Sequence, residues 1–216
     1  MKTHTSPFTK DSQLIRKPLL YRFARYLLTG LIKPLLLDLT IEGSENIPSP
    51  PFILSANHLN WSDPLLLVCL SKHPTFFMGK AELFRNPLSS FFMRSLAGYP
   101  VKRGEIDRNA LLESMRILKQ KGVIVLFPEG TRSQTGEMGL FEAGAAYLSL
   151  KAGVPIVPVG IKGTYKVGII SFFIPKKHKF YLRVGIPLQG RGASSFKDEV
   201  VKLTAELNKS IIELIS

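Results

Sequence analysis

The chain has 216 residues, of which 45% are hydrophobic, so it can bury a sizeable core and suits a single domain. Its net charge of +13 favours anionic partners such as nucleic acid, anionic lipid or a phosphorylated substrate. The single cysteine, Cys69, excludes an internal disulfide framework and a cysteine-based metal cluster, and it is consistent with a reducing cytosol.

The N-terminal region carries a basic amphipathic pattern. Residues 1–12 are polar and lack the features of a signal peptide, and a helical pattern then runs over 18–33, where Pro34 should end or kink it. Its apolar face holds Leu19, Leu20, Phe23, Leu27 and Leu31. Its polar face holds Arg22, Arg25, Thr29 and Lys33. The pattern is too short to cross a bilayer, which needs roughly 20 apolar residues. It therefore predicts either an interfacial membrane anchor or a helix packed on the core with its charges solvated.

Apolar runs and helical patterns alternate along the rest of the chain. We predict strands at 40–43, 52–56, 75–78, 99–104, 123–127, 154–159 and 180–184. We predict helices at 64–71, 81–97 with a break near Asn86-Pro87, 109–121, 144–152, and from Ser194 or Ser195 to about Ile215. This order predicts a three-layer α/β fold, with a mixed, largely parallel sheet flanked by helices. The helix-free stretch 154–187 suggests some antiparallel pairing. We expect an N-terminal membrane-associating segment at 1–36 and one domain at 37–216.

A histidine and an aspartate bracket the loop between strand 52–56 and helix 64–71. Pro64 fits the first position of a helix, which predicts Asp63 as the N-cap. Residues five apart in one helix are rotated by about 140° and do not meet, but a loop that turns back would bring Asp63 to His58. Asp63 could then orient one imidazole nitrogen and leave the other as a base. The alternative is a polar loop whose side chains cap the backbone.

Two further strand ends carry charge. Strand 123–127 leads into Pro128-Glu129-Gly130-Thr131-Arg132-Ser133, and strand 99–104 contains Lys102-Arg103. Functional loops of α/β folds gather beyond the carboxyl ends of strands. Arg132 suits bidentate phosphate binding, and Gly130 permits close approach of the backbone to a ligand. Alternatively, Glu129 and Arg132 form a structural ion pair, and Lys102 and Arg103 are solvated charges.

Four blocks occur in a fixed order between about residues 41 and 160: Asn57-His58 with Asp63; Arg103 after Tyr99-Pro100-Val101; Phe127-Pro128-Glu129-Gly130-Thr131-Arg132-Ser133; and Val154-Pro155-Ile156-Val157-Pro158-Val159. Together they resemble the blocks of the glycerolipid acyltransferases, of which the 1-acyl-glycerol-3-phosphate acyltransferases are the best-known members. One departure is Glu142, which follows Phe141 where such enzymes often carry a lysine. If that lysine binds phosphate, its absence favours a different lysolipid head group.

The resemblance implies acyl transfer from acyl-ACP or acyl-CoA to the free hydroxyl of a lysophospholipid, most simply 1-acyl-glycerol-3-phosphate to give phosphatidic acid. His58 and Asp63 would be the catalytic residues, and loop N–H groups near Gly130 are one candidate for binding the oxyanion. The expected substrate-binding residues are Lys102, Arg103, Glu129, Gly130, Thr131, Arg132 and Asn57. The acyltransferase reading requires no metal or bound cofactor.

We expect a peripheral protein on the cytoplasmic face of a membrane, attached through residues 18–33. Acyl carrier protein is a candidate partner, whereas no nucleic-acid motif is present. The apolar stretch 167–174 is either a second membrane contact or a buried strand. Two other functions stay open. One is a hydrolase or remodelling transacylase that uses the same base on another acceptor, such as water or a different lysophospholipid. The other is a non-catalytic module that binds a membrane or nucleic acid.

Overall fold

The computed structural model describes residues 19–71, 73–95, 97–102, 107–192 and 195–216. Within these ranges, strands form one sheet of seven in the order β1-β7-β6-β2-β5-β3-β4. The strands are β1 (Asp38–Glu42), β2 (Phe52–Ala56), β3 (Thr75–Lys80), β4 (Gly98–Val101), β5 (Val123–Leu126), β6 (Ile156–Lys162) and β7 (Lys179–Val184). Strands β2 to β6 are mutually parallel, whereas β7 runs antiparallel to β6 and pairs with β1 in parallel. The predicted mixed, largely parallel sheet is confirmed.

The sheet is covered on both faces, because its central strands are apolar on both sides. All five residues of β2 are buried, which is typical of a strand inside a parallel sheet. Phe52 and Leu54 belong to one core with Leu66 of α3, whereas Ile53 belongs to a second core with Ile117 of α5. The helices are α1 (Leu19–Tyr26), α2 (Lys33–Leu36), α3 (Asp63–Leu70), α4 (Pro87–Ser95), α5 (Arg108–Lys119), α6 (Gly144–Ala152), α7 (Ile169–Phe172) and α8 (Phe196–Ile215).

The N-terminal helical pattern continues beyond Pro34. A π-helical turn at Leu27–Ile32 joins α1 to α2, and Pro34 lies in the first turn of α2, where the absence of its N–H is tolerated. Phe23 is 63% exposed and Leu31 is 49% exposed, while Arg25 on the opposite face donates to the carbonyl of Ser71 at 2.5 Å. Phe23 and Leu31 of the predicted apolar face therefore point away from the protein, whereas Arg25 of the predicted polar face contacts it.

The structure excludes one of two alternatives and contradicts one local prediction. The segment 167–174 does not form a buried strand, since it contains the short helix α7 with exposed isoleucines. Helix α3 begins at Asp63 itself, and Ser62 occupies the N-cap position without a side-chain cap bond. The antiparallel pairing expected within 154–187 is present between β6 and β7.

Cys69 lies on α3, partly buried and near the N-terminal helical segment. Burial raises the pKa of its thiol to about 11, against the opposing influence of the Lys33 and Arg25 charges. The thiol is therefore protonated at neutral pH and packs as a small apolar group, as expected from the sequence. No helix in the described part of the chain is both long and apolar enough to cross a bilayer.

Candidate active site

The loop after β2 turns back on itself and joins His58 to Asp63. His58 Nδ1 lies 2.8 Å from Asp63 Oδ2, and Asp63 is fully buried. The same oxygen accepts hydrogen bonds from the backbone N–H groups of Leu59 and Asn60, both at 2.7 Å. The carboxylate thus holds its own loop in a turn and orients the imidazole, and its position at the start of α3 brings it into place.

The histidine ring is held on its flat side as well as at its edge. Phe127, the first residue beyond β5, stacks on it with ring centroids 4.0 Å apart and an interplanar angle of 18°. Because Nδ1 faces a buried carboxylate, that nitrogen carries the proton of the neutral ring, and Nε2 keeps its lone pair. The arrangement is a base with its orienting carboxylate.

Glu129 joins the two loops that build the site. Its Oε1 accepts the backbone N–H of His58 at 2.8 Å, and its Oε2 accepts that of Gly139 at 2.7 Å. The N–H of Ser133 donates in turn to the carbonyl of His58 at 2.8 Å. In the described part of the chain Glu129 forms no ion pair with Arg132. Both carboxylate oxygens are therefore engaged by backbone N–H groups rather than pointing to a ligand.

Asn57 makes a similar internal contact. Its Nδ2 donates to the carbonyl of Ile161 at 3.0 Å, and its Oδ1 accepts the N–H of Ile161 at 2.7 Å. The side chain therefore binds the backbone of β6 just beyond the end of β2. It fixes the residue before His58 relative to the sheet.

Gly130 forms the turn at the end of β5. Its φ of +66° is a left-handed conformation that favours glycine, and an added Cβ would lie 2.8 Å from Oε1 at the end of the exposed Glu142 side chain. The N–H of Gly130 donates to the carbonyl of Phe127 at 3.0 Å. The N–H groups of this loop were the candidates for binding the oxyanion, and this one is already engaged. The nearby Glu142 is itself exposed, and its N–H donates to the carbonyl of Pro128 at 2.7 Å.

The predicted cations lie at the rim. Arg132 and Thr131 are exposed beyond Gly130, and Lys102 is exposed beyond β4. The carboxylate of Asp107 accepts the N–H of Lys102 at 2.9 Å and also caps α5. Arg103 lies outside the described residues. No group of three or more His, Cys, Asp or Glu side chains in the described ranges is arranged to hold a metal ion.

Sequence reasoning missed two contacts that shape the site. It did not predict that Glu129 joins the two loops. The sequence shows a carboxylate three residues before an arginine, and this pattern does not indicate that backbone N–H groups will surround it. It also missed that Asn60 Nδ2 and Trp61 Nε1 both donate to the carbonyl of Val167, at 3.1 and 3.4 Å. The polar residues between His58 and Asp63 were the available signal.

Comparison with known proteins adds to this geometry. Residues 38–162, which contain both the histidine loop and the Gly130 loop, match a family model described as Acyltransferase. The chain belongs to the acyltransferase family. Its fold is similar to the crystal structure of the 1-acyl-sn-glycerophosphate acyltransferase of Thermotoga maritima, with a TM-score of 0.66 and 31% identity over 91% of this chain and 78% of that one.

Curated members of the acyltransferase family differ in their named acceptors. A chloroplastic 1-acyl-sn-glycerol-3-phosphate acyltransferase of Arabidopsis thaliana is 35% identical over 60% of this chain and 37% of its own length. A lyso-ornithine lipid O-acyltransferase of Pseudomonas aeruginosa is 29% identical over 67% of this chain and 55% of its own. The chain thus spans little more than a third of the plant relative and just over half of the bacterial one.

Proposed function

We propose that this protein transfers an acyl chain from an acyl thioester, either acyl-ACP or acyl-CoA, to the free hydroxyl of a lysophospholipid. The observation that carries the proposal is the 2.8 Å contact between His58 Nδ1 and the buried Asp63 carboxylate, which leaves Nε2 as a base. We favour 1-acyl-glycerol-3-phosphate as acceptor and phosphatidic acid as product. The names of the Arabidopsis and Thermotoga relatives support this choice.

The reaction needs one base and no protein nucleophile. His58 Nε2 removes the proton of the acceptor hydroxyl as its oxygen attacks the thioester carbonyl, and the new C–O ester bond forms. The C–S bond then breaks, and the leaving thiolate takes the proton from the imidazolium. Asp63 stabilises the imidazolium between these steps, and general-base help of this kind contributes roughly 10² to 10⁴ in rate. The scheme requires no metal or bound cofactor.

The rim of the site suits an anionic head group. Arg132 can bind a phosphate through two parallel hydrogen bonds, with Thr131 and Lys102 as further donors. Arg103, which follows Lys102 in the sequence, is a further candidate. Glu129, Gly130 and Asn57 support this rim through their backbone contacts and glycine conformation. We therefore assign these three residues to positioning the loops, and the exposed side chains to contacting the acceptor.

Glu142 favours a second acceptor class. Its Oε1 lies beside Gly130, so a negative charge faces the loop that carries Arg132. A phosphate monoester is repelled by such a charge, whereas a lysolipid whose head group carries an amine is attracted. The Pseudomonas relative is named for a lyso-ornithine lipid, which has such an amine. Acylation of an amine-bearing lysolipid is the alternative activity.

The N-terminal segment gives the site access to a membrane, where lysophospholipids reside. The exposed Phe23 and Leu31 face away from the protein, as an interfacial helix requires. We propose that residues 18–33 attach the protein peripherally to the cytoplasmic face of a membrane. The residues 1–18 lie outside the described part of the chain.

A turnover assay of the purified protein tests the proposal. It uses labelled acyl-CoA or acyl-ACP as donor and a panel of lysophospholipids as acceptors. We expect His58→Ala to lower kcat by about 10² to 10⁴ and Asp63→Asn to lower it by a similar order. His73→Ala is the matched control, because His73 lies on the loop after α3 and should leave turnover unchanged. Equal rates for wild type and His58→Ala would refute the general-base role, and acylation of an amine-bearing lysolipid alone would select the second acceptor class.

A further inference from the structure

Helix α7 presents apolar side chains at the edge of the sheet that holds the site. It follows β6, which is parallel to β2, so it emerges on the same edge as the histidine loop. Phe172 is buried in the core, whereas Ile169 is 65% exposed and Ile170 is 84% exposed. Phe173 and Ile174 are exposed beside them. A single exposed isoleucine is ordinary, but adjacent exposed isoleucines with two further apolar neighbours form a patch that needs a partner.

Lysines surround this apolar patch, which we define as Ile169, Ile170, Phe173 and Ile174. Lys166 precedes it, and Lys176, Lys177 and Lys179 follow it; all four are exposed. The sequence from 143 to 197 contains no Asp or Glu. Ammonium groups around an apolar tip match an anionic phospholipid surface, where phosphates lie above the acyl chains. The charge pattern therefore selects an anionic bilayer as the occupant.

The apolar patch is connected to the catalytic loop. The carbonyl of Val167 accepts hydrogen bonds from Asn60 and Trp61, which lie between His58 and Asp63. The Trp61 ring packs edge-on against Phe172, with centroids 5.2 Å apart. Asn60 also donates its backbone N–H to the Asp63 carboxylate, which orients His58. Asn60 therefore connects that carboxylate to the segment that carries the apolar patch.

The same segment contacts the N-terminal helices. The N–H of Lys176 donates to the carbonyl of Leu36, the last residue of α2, at 2.8 Å. The exposed Phe23 and Leu31 lie on the helical run that ends there. The apolar patch and the N-terminal apolar face thus belong to neighbouring elements.

We propose that the apolar patch of α7 and its flanking lysines form a second membrane contact, which inserts Ile169 and Ile170 into an anionic bilayer and seats the catalytic loop at its surface. The proposed binding to a bilayer does not depend on the acyl-transfer reaction. Only the delivery of lysolipid to His58 rests on the proposed function.

Flotation with vesicles of phosphatidylcholine and phosphatidylglycerol tests the binding. We expect the double variant Ile169→Ser/Ile170→Ser to bind these vesicles about tenfold more weakly or worse, because two exposed aliphatic side chains no longer enter the acyl region. The matched control is Val201→Ser/Ile212→Ser on α8, which removes comparably exposed apolar side chains elsewhere. Vesicles of phosphatidylcholine alone should bind the wild type more weakly.

The single tryptophan gives a direct readout of position. Because Trp61 packs on Phe172, vesicles that contain brominated lipid should quench its fluorescence in the wild type and in the α8 control. The quenching should be largely lost in Ile169→Ser/Ile170→Ser. This measurement reports the depth of the catalytic loop and does not require turnover.

The inference would be overturned if Ile169→Ser/Ile170→Ser, the α7 variant, bound vesicles as strongly as the wild type. It would also be overturned if Val201→Ser/Ile212→Ser lost as much binding. A third contrary result would be a wild-type dimer that the α7 substitutions dissociate without any change in vesicle binding. The last result would identify the apolar patch as an interface between two copies of this chain. A comparison of turnover separates the inference from the proposed function. We measure turnover with a vesicle-borne acceptor and with a monomeric acceptor, and we expect the ratio of the first to the second to fall about tenfold in the α7 variant. Normal flotation without any turnover would refute the proposed function alone.

Discussion

Glu142 is the residue whose charge most directly bears on the choice of acceptor. Its carboxylate lies against Gly130, on the loop that also carries Arg132. We expect Glu142→Lys to raise kcat/KM for a phosphate monoester acceptor about tenfold and to lower it for an amine-bearing acceptor, since the charge facing the head group is reversed.

Glu137→Lys is the control for this prediction, because it changes the net charge equally at an exposed position of the same loop region. Competition between the two acceptor classes in one assay would give the ratio of kcat/KM values directly. An unchanged ratio in Glu142→Lys would remove Glu142 from the acceptor site.

Single residues differ in how far the sequence reveals their role. The contact between His58 and Asp63 was one of two alternatives, because Pro64 indicates a helix start and a loop that turns back there would bring the two residues together. The sequence expectation for Glu129 was a ligand contact, but the structure surrounds it with backbone N–H groups. A carboxylate accepts hydrogen bonds in either role, and only the three-dimensional arrangement identifies its donors.

Among the elements, α5 is the one that secures a charged loop of the site. Asp107 caps its first turn and also accepts the N–H of Lys102. Burial alone would raise the pKa of Asp107, but the backbone N–H groups of Lys102, Ala110 and Asn109 outweigh it and lower that pKa, with help from the Lys102 charge.

We expect Asp107→Ala to lower the free energy of unfolding by about 1 kcal/mol, the usual cost of a lost N-cap, whereas Asp107→Asn keeps a capping oxygen and should cost less. Because the folded pKa is lowered, the extra stability from the charge is present above the unfolded value of 3.8 and is lost as pH falls through the lower folded value. Urea midpoints of wild type and Asp107→Asn, measured from pH 6 to pH 3, should therefore converge towards acid. A gap that widens in acid would contradict this sign.

Secondary structure was predictable where elements are long or strongly patterned. The continuous apolar run of β5 and the amphipathic α5 were both placed from sequence, whereas α7 was not, because one helical turn is too short to show a period of 3.6. The π-helical turn at Leu27–Ile32 left no recognisable signal either. The sequence also left open whether Phe23 and Leu31 face the protein, and their exposure follows from tertiary packing that includes the hydrogen bond from Arg25 to Ser71.

At the scale of the whole molecule, charge and exposed apolar surface act together. In the membrane attachment that we propose, the net charge of +13 draws the protein to anionic lipid, and the exposed Phe23 and Leu31 then enter the interface. We expect Phe23→Ser/Leu31→Ser to weaken binding to phosphatidylglycerol-containing vesicles about tenfold while leaving thermal unfolding nearly unchanged, because both side chains are already exposed.

Vesicle flotation at increasing salt checks this prediction, and Val201→Ser/Ile212→Ser is again the control. Binding should fall with salt in every variant, since each lysine or arginine near an anionic surface contributes about 1 kcal/mol that salt screens. Unchanged binding by Phe23→Ser/Leu31→Ser would mean that the N-terminal face does not enter the bilayer.

The two hydrogen bonds of Glu129 also bear on how the protein loses its structure. They tie the amide of His58 to a loop beyond β5, and β2 and β5 are neighbours at the centre of the sheet. Because both loops are anchored to these central strands, we expect the deuterium exchange of that amide to follow global opening rather than local fraying. On this expectation, the geometry of the candidate site disappears in the same cooperative step as the sheet.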